Sequence, residues 1–159
     1  MKILLIMPDA NIHRLNICRW GISFREAPLT LTLLAALVPK ELHASVRIID
    51  ESIEPLSKNN GYDLVGISCL TGTAPRAYQI ADTYRKAGIP VVLGGPHVTL
   101  RPQEAAVHAD SIVVGFAETS WPKLLFDFSR NNLQSIYRSK KGCIAGLPDP
   151  QRNLQRRFG

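Results

Sequence analysis

The sequence predicts an α/β protein built on a doubly wound, five-stranded parallel sheet. Two observations carry that expectation. Short β-branched apolar runs alternate along the chain with helical patterns, and most of these runs are apolar on both faces, as strands covered by helices on each side must be. Three of them also end in small residues and glycine, at Ser68 to Thr73, Gly94-Gly95 and Gly115. In an open α/β sheet the carboxyl ends of the strands are where ligands bind.

The elements follow in order. Lys2 to Met7 (KILLIM) reads as a buried strand stopped by Pro8. Asp9 to Ala27 is long for a strand-to-helix connection and reads as a functional loop. Pro28 suits a helix first turn, and the leucines from Leu29 to Leu37 give a helix ended near Pro39. Ser45 to Asp50 (SVRIID) is a second strand, followed by a polar segment to the Asn60-Gly61 turn. Leu64 to Ser68 is the third strand, and it empties into a turn of hydroxyls and glycine. Such a turn lets a ligand approach the backbone and find N–H and O–H groups. A helix over Ala74 to Ala87 follows, with Thr73 as its N-cap and Gly88 as its stop. Pro90 to Leu93 is the fourth strand, Arg101 to Ala109 holds a short helix, and Ser111 to Val114 is the fifth strand. Thr119 to Arg130 is an amphipathic helix with Trp121, Leu124, Leu125 and Phe128 at helical spacing. Ser135 to Tyr137 offers an edge strand, and residues 139–159 read as a basic linker beyond a domain spanning 1–138. Five strands suggest the flavodoxin-like, Rossmann-like order 2-1-3-4-5, whose switch point would place the Asp9 to Ala27 loop and the Ser68 to Thr73 turn around one crevice.

Composition narrows the function. The 159 residues are 45% hydrophobic and 20% charged, the balance of a single soluble domain. The longest apolar run is too short to cross a bilayer, and the N-terminus reads as a strand and not a signal peptide, so a cytoplasmic location is expected. Three scattered cysteines, Cys18, Cys69 and Cys143, form neither a disulfide framework nor a CxxC or CxxxCxxC cluster, so no metal site is expected. The net charge of +6 sits largely in the tail, from Arg138 to Arg157, without the aromatic interleaving of a nucleic-acid surface; a basic linker is the favoured reading. After the first strand the chain reads PDANIH where a dinucleotide fold needs GxGxxG, and no GxxxxGK[ST] phosphate loop is present. A phospho-acceptor domain needs more acid after the first strand than Asp9, and a lysine where Gly115 stands.

A family resemblance goes further. Pro28-Leu29 with Leu33 to Ala36, Val46 to Asp50, Asp63 to Thr71, Gly94-Gly95-Pro96-His97, Gly115 to Glu118 and Trp121-Pro122 come in the order found in the N-terminal cobalamin-binding domain of cobalamin-dependent radical S-adenosylmethionine enzymes, which the chain resembles from about Lys2 to Arg138. The resemblance implies that Ser68-Cys69-Leu70 is the Ser-x-Leu turn, with Ser68 near the dimethylbenzimidazole nucleotide tail of the cofactor. It implies that Thr71, Gly72 and Thr73 line that tail or the corrin edge, that Gly94 and Gly95 are the glycine pair passed by the tail, and that Gly115, Phe116 and Glu118 belong to the fifth-strand loop.

Two departures matter. Asp9-Ala10-Asn11 puts asparagine where methionine synthase-type domains carry the cobalt-ligating histidine; radical-enzyme members generally lack that ligand, so the resemblance implies a base-off cobalamin without a protein histidine. Gly115-Phe116-Ala117-Glu118 stands where the family usually shows Gly-Glu-x-Glu. Pro96 and His97 complete the expected cofactor contacts; His97 could ligate a metal, but a loop residue bonding corrin amides or backbone is the favoured reading. His13, His43 and His108 read as surface residues, and Cys69 as a buried filler.

The expected function is a cobalamin-binding module that is not catalytic alone and presents cobalt to a radical S-adenosylmethionine domain, in cis or in trans, for methyl transfer or related radical chemistry. S-adenosylmethionine and a [4Fe–4S] cluster would belong to that other domain, since this chain lacks its cysteines. The alternative is a non-catalytic flavodoxin-like sensor or protein-interaction module.

Overall fold

The computed structural model describes residues 1–9, 14–17, 20–23, 29–56, 61–139 and 146–154. The strands are β1 (Lys2–Met7), β2 (Arg14–Ile17), β3 (Trp20–Ser23), β4 (Ser45–Asp50), β5 (Leu64–Ser68), β6 (Val91–Gly94), β7 (Ser111–Val114) and β8 (Ile136–Arg138). The helices are α1 (Leu29–Ala36), α2 (Ala74–Lys86), α3 (Pro96–Leu100), α4 (Pro102–Val107) and α5 (Ala117–Ser129). The main sheet is parallel, in the order β4-β1-β5-β6-β7-β8. Its first five strands reproduce the expected 2-1-3-4-5 order, but the sheet has six strands and not five, because the Ser135 to Tyr137 stretch pairs alongside β7.

Three further expectations are corrected. The Asp9 to Ala27 loop contains an antiparallel hairpin, β2 and β3, paired from Arg14↔Ser23 to Ile17↔Trp20; its interrupted polarity gave no clean alternation to read. Gly95-Pro96-His97 does not stay a loop, since Pro96 starts α3 with its fixed φ at a first-turn position. Residues 146–154 do not hang free: Gln151 N–H donates to the Thr32 carbonyl at 3.0 Å, and Leu154 packs on the α1 and α5 side. Pro28, the 57–60 turn, Cys18, Cys143, His13 and the terminal arginines Arg156 and Arg157 lie outside the described residues.

Each face of the sheet buries its own core. On one side Leu4, Ile6, Val65, Ile67 and Leu93 meet α2, α3 and α4 through Ala77, Ile80, Ala81, Val98 and Ala105. On the other, Ile3, Leu5, Leu64, Val92 and Val113 meet α1 and α5 through Leu31, Ala35, Trp121, Leu124 and Leu125. The alternation follows from the period-two side-chain geometry of strands, each strand being apolar on both sides. Trp121 ties the second layer together: it is 2% exposed, and its indole N–H donates to the Leu34 carbonyl of α1 at 3.0 Å. Among the described residues no helix is long and apolar enough to cross a membrane.

Trp121→Ala is expected to lose about 3–5 kcal/mol of unfolding free energy, and Trp121→Phe a smaller amount that includes the unpaired Leu34 carbonyl. Urea unfolding of the two variants beside the parent checks the order.

Candidate functional site

The carboxyl edge of the sheet is fixed by backbone contacts that only glycine permits. Past β5 the Cys69 N–H donates to the Gly94 carbonyl at 2.8 Å, and the Cys69 carbonyl accepts from the His97 N–H at 3.1 Å. Gly95 lies between these bonds at φ +104°, and a Cβ there would stand 2.8 Å from the Cys69 oxygen and 2.9 Å from its nitrogen. Both the dihedral and the space therefore demand glycine. Thr99 joins the next strand end, its hydroxyl accepting from the Gly115 N–H at 3.0 Å and donating to the Gly95 carbonyl at 3.1 Å. Gly115, at φ +87°, would drive a Cβ to 2.7 Å from the Ser139 carbonyl oxygen.

Beneath that edge, on the α1 and α5 side, the sheet sheds its side chains. Pairing aligns Leu5, Gly66 and Val92 in one row across β1, β5 and β6, and Ser68 with Gly94 in the next row toward the edge. Because residues two apart share a face, Gly66 and Ser68 on β5 and Gly94 on β6 leave a depression on the side that carries Leu5 and Val92. α1 and α5 bridge it without filling it, and a cavity of about 470 Å³ results. Its floor is Leu5, Gly66, Val92 and Val113; its walls are Leu33 and Leu34 of α1, Leu37 just past its end, and Trp121 of α5. Leu29 and Phe116, both more than half exposed, stand at the edge end of the walls. Leu147, Pro148 and Pro150 add a further wall.

The residues singled out from sequence divide into two groups. Ser68, Gly94, Gly95, Gly115, Phe116 and Glu118 line the cavity together. Leu70, Thr71, Gly72, Thr73, Pro96 and His97 do not line it. Thr71 and Gly72 are exposed in the turn above β5, beside Leu70, and Pro96 is exposed at the start of α3. Thr73 stands at the N-cap of α2, but its hydroxyl bonds backward, accepting from the Leu70 N–H and donating to the Leu70 carbonyl, both at 3.1 Å.

His97 is buried on the opposite face of the sheet. Its Nδ1 lies 3.3 Å from the Thr71 hydroxyl, and its Nε2 lies 3.1 Å from the Tyr78 hydroxyl and 3.5 Å from Glu104 Oε1. Both ring nitrogens are thus engaged by the protein, so His97 braces the 71–73 turn against α2 and α4. His108, expected at the surface, has partners: Nδ1 is 3.0 Å from Asp82 Oδ1, and the ring stacks on Tyr78 at 4.2 Å. Burial and the neighbouring Glu104 carboxylate push the Tyr78 phenol up. Burial, reinforced by Glu104, also pushes the Cys69 thiol up to about 12, the state of an inert filler. His43 is exposed, as expected.

Sequence reasoning missed Gly66, Thr99 and the 147–150 wall. A glycine inside an apolar strand was the available signal, since such a residue marks close approach by another group. Among the described residues no group of three His, Cys, Asp or Glu side chains is placed to hold a metal ion. The cavity does have the properties of a slot for a flat, largely apolar group with a polar stem: apolar walls over a floor where β5 and β6 carry Gly66 and Gly94, and Glu118 Oε2, which is buried on its wall with no hydrogen-bond partner among the described residues.

The model of the B12 binding domain matches residues 3–125. The chain belongs to the B12-binding domain family. It is 44% identical over 113 residues to the bacteriochlorophyllide d C-8(2)-methyltransferase of Chlorobaculum tepidum, and 33% identical over 114 residues to the C-12(1)-methyltransferase of the same organism. Each match covers 70% of this chain and 25% of the relative. An uncharacterized methyltransferase of Pyrococcus horikoshii is 31% identical over 145 residues, 82% of this chain and 30% of that protein. This B12-binding chain therefore spans between a quarter and a third of the length of these relatives. The residues of its cavity fit the group for which the family is named.

Gly95→Ala is expected to cost more than about 2 kcal/mol, because strain and a backbone clash add. Gly88→Ala, at φ +78° with open space around its Cβ position, should cost only about 1 kcal/mol. Paired denaturation curves test the difference. In a background lacking Cys18 and Cys143, Cys69 should resist iodoacetamide at pH 8, where its thiolate fraction is on the order of one in ten thousand, and react only in denaturant; mass spectrometry reads the adduct.

Proposed function

We propose that this domain holds cobalamin base-off, without a protein ligand below cobalt, and presents the upper face of the corrin to a radical S-adenosylmethionine domain carried elsewhere, in cis or in trans. The observation that supports the reading most is the cavity between α1 and α5, opening at the edge where Ser68, Gly94, Gly95 and Gly115 converge and holding the unpaired Glu118 oxygen. The nucleotide tail would occupy that cavity, with Ser68 and Glu118 meeting its polar stem. Thr71 and Gly72, exposed on the same edge, would face the corrin, and the His97 brace would hold that turn in place.

Bound cobalamin supplies alkyl-carrier chemistry. The chain's own part is to bind, orient and shield. The apolar walls exclude water from the tail, and the clasped strand ends keep the corrin platform rigid. Placing the tail in the cavity would draw its base away from cobalt, and with asparagine at position 11 no protein imidazole stands there to take the base's place. The names of the relatives support methyl transfer as the reaction of the whole protein. The chain has no CxxxCxxC of its own, so the cluster and S-adenosylmethionine would sit in the other domain. A cytoplasmic setting fits this oxygen-sensitive chemistry.

Purified protein mixed with hydroxocobalamin and desalted should retain a corrin absorption band at near-stoichiometric level; colourless protein overturns the reading. Gly94→Leu, which projects into the cavity from a site where a Cβ meets only ordinary contacts, should weaken retention more than about ten-fold with the fold preserved by circular dichroism. After reduction to cob(II)alamin, the electron paramagnetic resonance spectrum should lack nitrogen splitting from an axial ligand. Nitrogen splitting would refute the base-off assignment while leaving the binding claim standing.

A further inference from the structure

The cavity is completed by a part of the chain that lies beyond the residues matched by the family model, which end at 125. Leu147, Pro148 and Pro150 form one of its walls. Their stretch is anchored: the Gln151 N–H bonds the Thr32 carbonyl of α1 at 3.0 Å, residues Arg152–Leu154 make a 3-10 turn, and Leu154 packs against the core on that side. The strap thus lies along α1.

With this wall in place the cavity is graded in polarity. Its hydroxyl and carboxylate groups, on Thr30, Ser68 and Glu118, all come from the carboxyl edge: the first turns of α1 and α5 and the last residue of β5. The other side chains on its lining, such as Leu5 and Val92 on the floor, Leu37 past the end of α1 and Leu147 on the strap, are apolar. The Trp121 indole N–H on the wall is already spent on the Leu34 carbonyl. A polar atom pushed to the bottom would give up its water and find no replacement, whereas one at the rim would be met.

We propose that the 147–150 strap makes the slot selective for the lower base of the corrinoid: an apolar aromatic base of the benzimidazole or phenol class is accepted, and a purine is rejected. This rests on the cobalamin reading above. Adenine carries an amino group and several ring nitrogens that would be buried unpaired, while a dimethylated benzimidazole in the base-off state leaves a single bare nitrogen and fills the same walls with methyl groups. Leu147, Pro148 and Pro150 act as specificity-determining residues, because opening their side of the slot would readmit water to the base.

The test compares three ligands on the intact chain by spectroscopic titration: cobalamin, the corresponding adeninyl corrinoid, and cobinamide, which has no nucleotide tail. Cobalamin should bind at least about ten-fold more tightly than either of the others, the loss expected when one or more buried polar groups go unpaired. In the triple variant L147A/P148A/P150A the ratio of cobalamin to adeninyl corrinoid should fall to within about three-fold, chiefly by weaker cobalamin binding. Equal affinity of the intact chain for the two complete corrinoids overturns the proposal. So does a ratio that survives removal of the strap side chains, or cobinamide binding as tightly as cobalamin. The comparison on the intact chain stands even if the triple variant does not fold, and L147A alone then reports the strap's share. If none of the three ligands binds, it is the cobalamin reading itself that fails.

Discussion

The contact on which the rest of the site depends is the backbone clasp between the ends of β5 and β6. Cys69 is bonded on both sides, to the Gly94 carbonyl and from the His97 N–H, and Gly95 passes so close that no side chain fits between. Everything at the carboxyl edge hangs from it. The clasp turns the chain into α3, which sends His97 inward and brings Thr99 within reach of both Gly95 and Gly115. Three strand ends are thereby held in one arrangement by backbone bonds and one threonine hydroxyl. A platform built from backbone varies less than one built from long side chains, because it has no rotamers to lose.

The clasp alone would give a rigid edge with nothing under it. The cavity exists because the two faces of the sheet are packed differently. Toward α2, α3 and α4 the strands present Val65, Ile67 and Leu93, and the space above them is filled. Toward α1 and α5 the same strands present Gly66, Ser68 and Gly94; the Trp121 ring, tied to the Leu34 carbonyl, packs over Gly66, and the space beside it toward Ser68 and Gly94 stays open. The depression opens to water beside the exposed Leu29 and Phe116, so its apolar walls keep a hydrophobic free energy that covering them would release. That gain on covering the walls is the physical reason to read the cavity as a site.

Much of this was legible in the sequence. The two-sided apolar strands fixed the parallel sheet and its order, since short runs of Leu, Ile and Val separated by helix patterns admit few other arrangements. The glycine pair and Gly115 were legible as strand ends near a ligand. Less legible was which face they served. Periodicity assigns Gly66 and Ile67 to opposite sides of β5 but does not say which side stays open; that is decided by Trp121, 55 residues later in the chain. The His97 environment was illegible for the same reason, its partners Thr71, Tyr78 and Glu104 being distributed over three other elements. The hairpin between Arg14 and Ser23 escaped because a long polar loop and two four-residue strands have similar composition.

The distribution of polar groups between the two faces bears on what such a domain can do. On the α2 to α4 face the imidazoles, phenol and carboxylates are engaged with one another: His97 with Thr71, Tyr78 and Glu104, and His108 with Asp82. Groups so occupied stabilise a conformation and have little left to give a substrate. On the α1 to α5 face the polar side chains are few and confined to the rim, and Glu118 keeps a buried oxygen without a partner. A catalytic centre needs acids, bases or nucleophiles aimed at a reacting atom. Among the described residues near the edge, the Cys69 thiol is held protonated by burial. Among the described residues the titratable groups of the α2 to α4 face go to rigidity, and the α1 to α5 face keeps an apolar slot with a polar mouth. That arrangement suits a domain that holds a cofactor.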